Sequence, residues 1–136
     1  MADEYMRILV VDDDPIDFVF LKKGFELLVA RVQLHHCQDP ADVLTLLDSK
    51  ACDFVFLDLN LGGESGIEVL KSIRQSDRFK AVPVIVFSSS VSRLDVVESY
   101  AAGASGYVEK PLTIDMYRKF AKAFCDFWVD VATIKP

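Results

Sequence analysis

The stretch FVFLDLN, residues Phe54–Asn60, decides the fold of this chain. Its first four residues are apolar and mostly aromatic or β-branched, which is typical of a strand buried on both faces. Such a strand belongs in the centre of a parallel sheet that is covered by helices. Asp58 follows the apolar run directly, so its carboxylate is predicted to stand at the carboxyl edge of the sheet, where open α/β folds bind ligands.

Strand and helix patterns alternate along the rest of the chain. Further strands are predicted over residues 7–11, 32–37, 84–87 and 106–108, and helices over residues 15–28, 40–49, 66–75, 93–102 and 114–131. Short connections between alternating elements favour right-handed parallel crossovers. The predicted fold class is therefore α/β, a doubly wound five-stranded parallel sheet with helices on both faces.

Size and charge limit the classes of function. With 136 residues and 51% hydrophobic content, the chain is predicted to form a single domain over residues 1–136, with a C-terminal tail from about residue 132. The net charge of -6 and the pI near 4.8 argue against binding to nucleic acid or to an anionic membrane.

Localisation and redox state follow from the termini and the cysteines. Residues 1–4 are not the start of an apolar signal segment, and no apolar run approaches the ~20 residues of a membrane span, so we expect a cytoplasmic protein. Cys37, Cys52 and Cys125 are odd in number and widely spaced, which predicts reduced thiols rather than disulfides or a zinc site.

Polar residues stand at the carboxyl ends of four predicted strands: Asp12 and Asp13, Asp58, Ser88, and Lys110. In a parallel sheet these ends share one edge, so the five side chains are predicted to converge. Clustered carboxylates need a cation, and oxygen ligands favour a hard ion such as Mg²⁺. A hydroxyl and an ammonium suit the oxygens of a phosphoryl group. The alternative is that each residue merely caps a helix, ends a strand or lies in solvent.

Four segments carry a family resemblance: Ile8–Asp13, Leu57–Asn60, Pro83–Ser88 and Gly106–Pro111. Together and in this order they resemble the receiver domain of a two-component response regulator, of the stand-alone kind found in chemotaxis and phytochrome signalling. The resemblance covers nearly the whole chain and implies a flavodoxin-like (βα)5 fold.

The resemblance also implies roles for the acidic residues. Asp58 would accept a phosphoryl group from a phosphohistidine of a sensor histidine kinase. Asp13, Asp58 and the backbone carbonyl of Asn60 would hold Mg²⁺, and Asp12 would reach the ion through water. On this basis the protein is not a conventional enzyme, since it acts only on its own phosphorylation and dephosphorylation.

The switch residues come from the same resemblance. Lys110 would pair with one phosphoryl oxygen, and Ser88 would swing inward to bind another. Tyr107 would then rotate inward and reshape the output surface formed by the fourth helix, fifth strand and fifth helix. A static aromatic in a short edge strand is the alternative for Tyr107. The Lys110–Pro111 bond would be cis.

Two features depart from the family pattern. Leu61-Gly62-Gly63 stands where Met-Pro is common, and two glycines are expected to loosen this loop. Ser88 replaces the usual threonine but keeps the hydroxyl. Asn60 and Ser90 flank the phosphoryl site and are expected to tune the attacking water.

The last helix and the first suggest partners. Two apolar sides are predicted on the last helix, one of which would be free for a homodimer across a two-fold axis, unless the wide face only wraps the core. The run Asp58–Leu61, and the ending Phe127–Val129 followed by Ile134–Pro136, resemble the response regulators of bacterial phytochromes. A bacteriophytochrome kinase would dock mainly on the first helix and on the loop after the fifth strand, with Phe18, Leu21 and Phe25 divided between core and docking face.

Other classes of function stay open on sequence grounds. A phosphatase of the haloacid-dehalogenase type also uses an aspartate nucleophile, although Asn60 stands where a second aspartate is expected. A flavin carrier would need a phosphate-cradling loop, and Asp12–Asp14 would repel phosphate. A receiver-like scaffold that works without phosphorylation is the third alternative.

Overall fold

The computed structural model describes residues 5–134, so the predictions on residues 1–4 and 135–136 lie outside the described part. In chain order the strands are β1 (Met6–Val11), β2 (Val32–Cys37), β3 (Phe54–Leu57), β4 (Asn60–Leu61), β5 (Glu64–Ser65), β6 (Val84–Ser88) and β7 (Gly106–Glu109). Five of them form one parallel sheet in the order β2-β1-β3-β6-β7. The reversal of strand order beside β1 makes the sheet doubly wound, as predicted, with β3 at its centre.

Four helices connect the five strands of the sheet and a fifth follows β7, and side-chain caps begin four of the five. The helices are α1 (Pro15–Gly24), α2 (Val43–Ser49), α3 (Gly66–Gln75), α4 (Arg93–Ala101) and α5 (Ile114–Phe124). The side chains of Asp14, Ser65, Ser92 and Thr113 accept hydrogen bonds from first-turn backbone N–H groups of α1, α3, α4 and α5.

Three helix boundaries differ from the prediction. Helix α1 ends at Gly24 rather than Leu28, and residues 26–28 form a 3₁₀ turn. Residues 40–42 are also a 3₁₀ turn before α2, and α5 gives way to one π-helical turn at Cys125–Val129. Leu28, Trp128 and Val129 still pack against the core, so apolar periodicity continues past the ends of α1 and α5. At the start of α2, Asp39 caps the 3₁₀ turn rather than the helix.

Both faces of the sheet are buried, because alternate residues of the central strands point to opposite sides. Phe54 and Phe56 pack with Phe25 and Phe124 under α1 and α5. On the other face the packed residues are Leu9, Val11, Val55, Leu57, Leu47 and Leu70, which lie under α2 and α3. This two-sided core holds the carboxyl end of β3 rigidly in the middle of the sheet.

The loop with the two glycines forms a short hairpin. Strands β4 and β5 pair antiparallel, and Gly62 and Gly63 form the turn with φ of 61° and 103°. Positive φ at both turn positions matches the twist of a two-residue hairpin, so the glycines fix the loop. Leu61 is buried and anchors it.

Further predictions can be compared with the described residues. No peptide bond among residues 5–134 is cis, so the Lys110–Pro111 bond is trans and the implied cis bond is wrong here; trans is also the intrinsic preference of such bonds. The three cysteines are free thiols, as predicted, and burial raises the pKa of Cys37 to about 11 and that of Cys52 to about 12. No helix in the described range is both long and apolar enough to cross a membrane.

Candidate functional site

Four predicted site residues meet at the carboxyl edge of the sheet. Asp12 follows β1, Asp58 follows β3, Ser88 ends β6, and Lys110 follows β7. Asp12, Asp58 and Ser88 are 5%, 8% and 4% exposed, so three polar groups are buried side by side. Buried polar groups of this kind require partners, and the partners define what the site can do.

Lys110 contacts three carboxylates of the site. Its Nζ lies 2.7 Å from Asp17 Oδ2, 2.8 Å from Asp58 Oδ2 and 3.1 Å from Asp12 Oδ2. Burial alone would lower the pKa of Lys110, but the hydrogen bonds to Asp17 and Asp58 and the charge of Asp12 outweigh it and raise the pKa above its usual range. The ammonium is therefore charged, and all three of its N–H donors are used.

Asp12 is held on three sides. Its Oδ1 accepts a hydrogen bond from the backbone N–H of Asp14 at 2.9 Å, and its backbone oxygen lies 2.8 Å from Nε2 of His36. The His36 ring stacks on Phe18 with a centroid distance of 4.3 Å. Burial raises the pKa of Asp12, and the charge of Asp58 adds to this rise, although the Asp14 N–H and the Lys110 ammonium act in the opposite direction.

Asp13 and Asn60 lie on the exposed rim of the site. Asp13 Oδ2 is 2.8 Å from the position that a Cβ on Gly62 would occupy, so its carboxylate lies against the β4–β5 hairpin. The backbone N–H of Asn60 donates to Asp58 Oδ1 at 3.1 Å, which fixes the orientation of the Asp58 carboxylate. Glycine at position 62 thus leaves room for the Asp13 carboxylate against the hairpin.

Ser88 connects the site to the α4 end of the sheet. Its Oγ accepts a hydrogen bond from the backbone N–H of Ser90, and the Tyr107 hydroxyl donates to the Ser90 carbonyl at 2.7 Å. The Ser90 hydroxyl donates to Asp95 at 2.6 Å. Asp95 thus binds two serines at the start of α4, with its carboxylate accepting from Ser90 and its backbone N–H donating to Ser92 Oγ.

The donor set fits a hard divalent cation. One carboxylate oxygen from each of Asp12, Asp17 and Asp58 lies within 4.8 Å of the others, whereas Asp13, a predicted ligand, is not part of this group among the described residues. Small, strongly hydrated cations prefer such oxygen ligands, and no cysteine or histidine side chain competes within this group.

Sequence reasoning missed Asp17 and His36. Asp17 lies in the first turn of α1, just after the N-cap Asp14. Its place there is a usable signal, because α1 begins at the same edge of the sheet. His36 lies near the end of β2, and no motif pointed to it; only the pairing of β1 with β2 brings it to Asp12.

A doubly wound parallel sheet with an aspartate at the end of its central strand, bound by a lysine from its edge strand, defines a receiver-type signalling domain. Residues 8–122 match the response regulator receiver domain family. The chain belongs to this family, and the match covers well over half of its 136 residues.

Curated relatives agree with this assignment. The chain is similar to chemotaxis protein CheY-3 of Vibrio cholerae serotype O1, with 33% identity over 116 residues, covering 83% of this chain and 86% of the relative. It is also similar to chemotaxis protein CheY of Pseudomonas aeruginosa, with 31% identity over 123 residues, covering 88% and 96%.

Solved structures show the same fold. The Mn(2+)-bound form of response regulator Rcp1 matches with a TM-score of 0.82 at 25% identity, covering 96% of this chain and 99% of that one. A response regulator in red light signaling of R. palustris matches with a TM-score of 0.86 at 25% identity, covering 96% and 99%. The flavodoxin-like receiver fold is thereby confirmed, and nothing in these similarities favours the haloacid-dehalogenase or flavin-carrier alternatives.

Proposed function

We propose that Asp58 is the phosphoryl acceptor of this receiver domain and that Lys110 stabilises the phosphoryl group. The observation that carries the proposal is the contact of 2.8 Å between Lys110 Nζ and Asp58 Oδ2, in a site where both side chains are largely buried. A buried ammonium on the acceptor carboxylate stands where negative charge accumulates during phosphoryl transfer.

The transfer follows from this arrangement. A free oxygen lone pair of the Asp58 carboxylate forms a bond to phosphorus while the bond from phosphorus to the donor breaks. The electron pair of that bond leaves with the donor atom, a histidine nitrogen of the kinase or the acetate oxygen of acetyl phosphate. Lys110 balances the charge of the phosphoryl oxygens, and the Asn60 N–H keeps Asp58 oriented.

Asp13, Asp58 and the backbone carbonyl of Asn60 would hold Mg²⁺, with Asp12 acting through water. When bound, the ion would neutralise the repulsion between the Asp58 carboxylate and an anionic phosphoryl donor. The closeness of the Asp12 and Asp58 carboxylates, with one oxygen of each within 4.8 Å of the other, supports the part of this assignment that concerns these two residues. The similar response regulator Rcp1 has a solved structure in its Mn(2+)-bound form.

Ser88 and Tyr107 form the switch. The Ser88 hydroxyl turns toward a phosphoryl oxygen and releases the Ser90 N–H. Because the Tyr107 hydroxyl donates to the Ser90 carbonyl, a movement of Ser90 also moves Tyr107. The exposed apolar side chains of α4 then belong to the output surface; they are Leu94, Val97 and Tyr100. The chain of hydrogen bonds supports a switch role for Tyr107 over a purely static one.

A sensor histidine kinase donates the phosphoryl group, and a bacteriophytochrome is the proposed kinase. The similarity to the response regulator in red light signaling of R. palustris supports a bacteriophytochrome as the kinase. Leu21 of α1 and Phe25, which follows α1, are buried and belong to the core. The docking face is then formed by exposed residues of the first helix and of the loop after β7, namely Ile16, Val19, Phe20 and Leu112.

The remaining proposals concern the whole chain. Residues 1–136 form one cytoplasmic receiver domain, which acts without nucleic acid or membrane and catalyses only its own phosphorylation and dephosphorylation. Met116 and Phe127 are about half exposed beside the buried stripe of α5, which supports a homodimer through the α5 region.

The test is phosphorylation by a small donor. The purified protein is incubated with acetyl phosphate and Mg²⁺, and the intact mass is measured. We expect a gain of about 80 Da, one phosphoryl group, that requires Mg²⁺ and is lost in Asp58→Asn. No gain in the native protein would leave the scaffold alternative as the better explanation.

A further inference from the structure

The inference concerns Asp17, a residue of α1 that lies outside the expected acceptor and metal set. Its carboxylate makes the shortest of the three contacts to Lys110 Nζ, 2.7 Å, although it comes from a helix and not from the end of a strand. Its side chain is 31% exposed, against 7% for Asp12 and 10% for Asp58. Asp17 is thus both a close partner of Lys110 and the partner most open to water.

Lys110 has no donor to spare in this arrangement. An ammonium has three N–H groups, and Asp12, Asp17 and Asp58 each accept one. A phosphoryl oxygen on Asp58 can therefore gain a hydrogen bond from Lys110 only in exchange for one of these carboxylates.

Solvent access decides which carboxylate is exchanged. Removing the ammonium from the buried Asp12 leaves a buried anion without its cation, which is strongly unfavourable. Asp17 can turn from Lys110 into water at the start of α1, where the helix N-terminus also favours its negative charge. Asp17 is therefore the carboxylate whose separation from Lys110 costs the least free energy.

We propose that Asp17 is a positioning residue that holds Lys110 in the unphosphorylated protein and is displaced from it by the phosphoryl group. Resting on the phosphoryl-acceptor role of Asp58, this makes Asp17 a built-in competitor of the phosphoryl group for one cation. Removing its charge leaves Lys110 with a free donor and also lessens the repulsion of an incoming anion.

The experiment measures binding of fluoroberyllate, a phosphoryl mimic, at saturating Mg²⁺ by ¹⁹F NMR. We expect Asp17→Asn to bind it about threefold to tenfold more tightly than the native protein. Asp17→Glu keeps the carboxylate and should bind with near-native affinity. Asp77→Asn removes the same charge from a fully exposed site in the loop before β6 and serves as the matched control.

A second measurement examines the resting contact without the mimic. The ¹⁵N signal of the Lys110 ammonium should shift in Asp17→Asn and stay unchanged in Asp77→Asn. Mg²⁺ affinity is measured by calorimetry in the same proteins, and it should change far less than the affinity for fluoroberyllate.

The outcomes separate this proposal from the function on which it rests. Tighter fluoroberyllate binding in Asp17→Asn with a shifted Lys110 signal supports it. Unchanged or weaker binding overturns the role of Asp17 and leaves Asp58 as acceptor, as does a collapse of Mg²⁺ binding, which would make Asp17 a metal ligand. If the native protein binds no fluoroberyllate, both proposals fail together.

Discussion

At the scale of a single residue, the buried Asp12 supplies charge to the site at a cost in folding stability. Burial raises its pKa above the ordinary value of 3.8, so the folded protein holds a proton on this carboxyl more readily than the unfolded chain does. The stabilisation that this group contributes is therefore fully present at pH values below its pKa in the unfolded chain. It is lost as the pH rises through the raised pKa of the folded protein. At neutral pH the ionised carboxylate is destabilising.

Asp12→Asn is accordingly expected to raise the melting temperature at neutral pH without Mg²⁺. The gain should be a few degrees and should shrink as the pH falls through the raised pKa toward 3.8, since the native carboxyl then becomes neutral as well. Thermal unfolding followed by circular dichroism measures it, with the exposed Asp77→Asn as control. A lower melting temperature at neutral pH would mean that the Lys110 contact outweighs the burial of Asp12.

The residues of the site differ in whether the sequence alone could place them. Asp12, Asp13, Asp58, Ser88 and Lys110 could be placed at one edge because strand ends follow from apolar runs. Asp17 and His36 could not be placed so directly, because one depends on how α1 turns over the sheet and the other on the pairing of β1 with β2.

At the scale of the element, the start of α3 sets the position of the acceptor loop. A Cβ on Gly66 would lie 2.2 Å from the Asp58 carbonyl oxygen and 2.7 Å from the Leu59 Cα. Real side chains do not approach backbone so closely, so α3 can begin this near to Asp58 only with glycine at its first position.

Gly66→Ala is therefore expected to destabilise the fold by about 3 kcal/mol. The change should also weaken fluoroberyllate binding, because the backbone of Asp58 must move. Gly106→Ala is the matched control, since its Cβ would meet only the Ile85 side chain at 3.5 Å. Urea unfolding measures both variants, and equal effects of the two would contradict this account of the α3 start.

Elements were predicted well where patterning and caps agree, and poorly where tertiary contacts decide. Helix α3 was predicted with its observed ends because its apolar residues face one side. The β4–β5 hairpin was missed because two-residue strands carry no periodicity. No sequence pattern pointed to Arg74, whose guanidinium donates to the backbone oxygens of Val82 and Gly103.

At the scale of the whole molecule, the exposed apolar residues lie mostly on α1, α4 and the α5 region. Met116 and Phe127 are 51% and 53% exposed, whereas Tyr117 and Phe124 of the same region are buried. The predicted excess of apolar surface on the last helix is thus present, and the stripe that fills the core is separate from it.

Dimerisation is expected to respond to activation. Sedimentation velocity with Mg²⁺ should show a larger dimer fraction when fluoroberyllate is added. Phe127→Asp should reduce that fraction, whereas Leu27→Asp, at an exposed position after α1, should leave it unchanged. A protein that stays monomeric in both states would remove the proposed homodimer without affecting the acceptor site.

The central claim is that the phosphoryl group is carried by Asp58, and the most direct measurement locates it. Phosphorylated protein is reduced with borohydride, which converts an aspartyl phosphate to homoserine, and the peptides are sequenced by tandem mass spectrometry. The account predicts homoserine at position 58, where the carboxylate meets Lys110. Homoserine at position 12 or 13, or none in a protein that has gained a phosphoryl group, would contradict it.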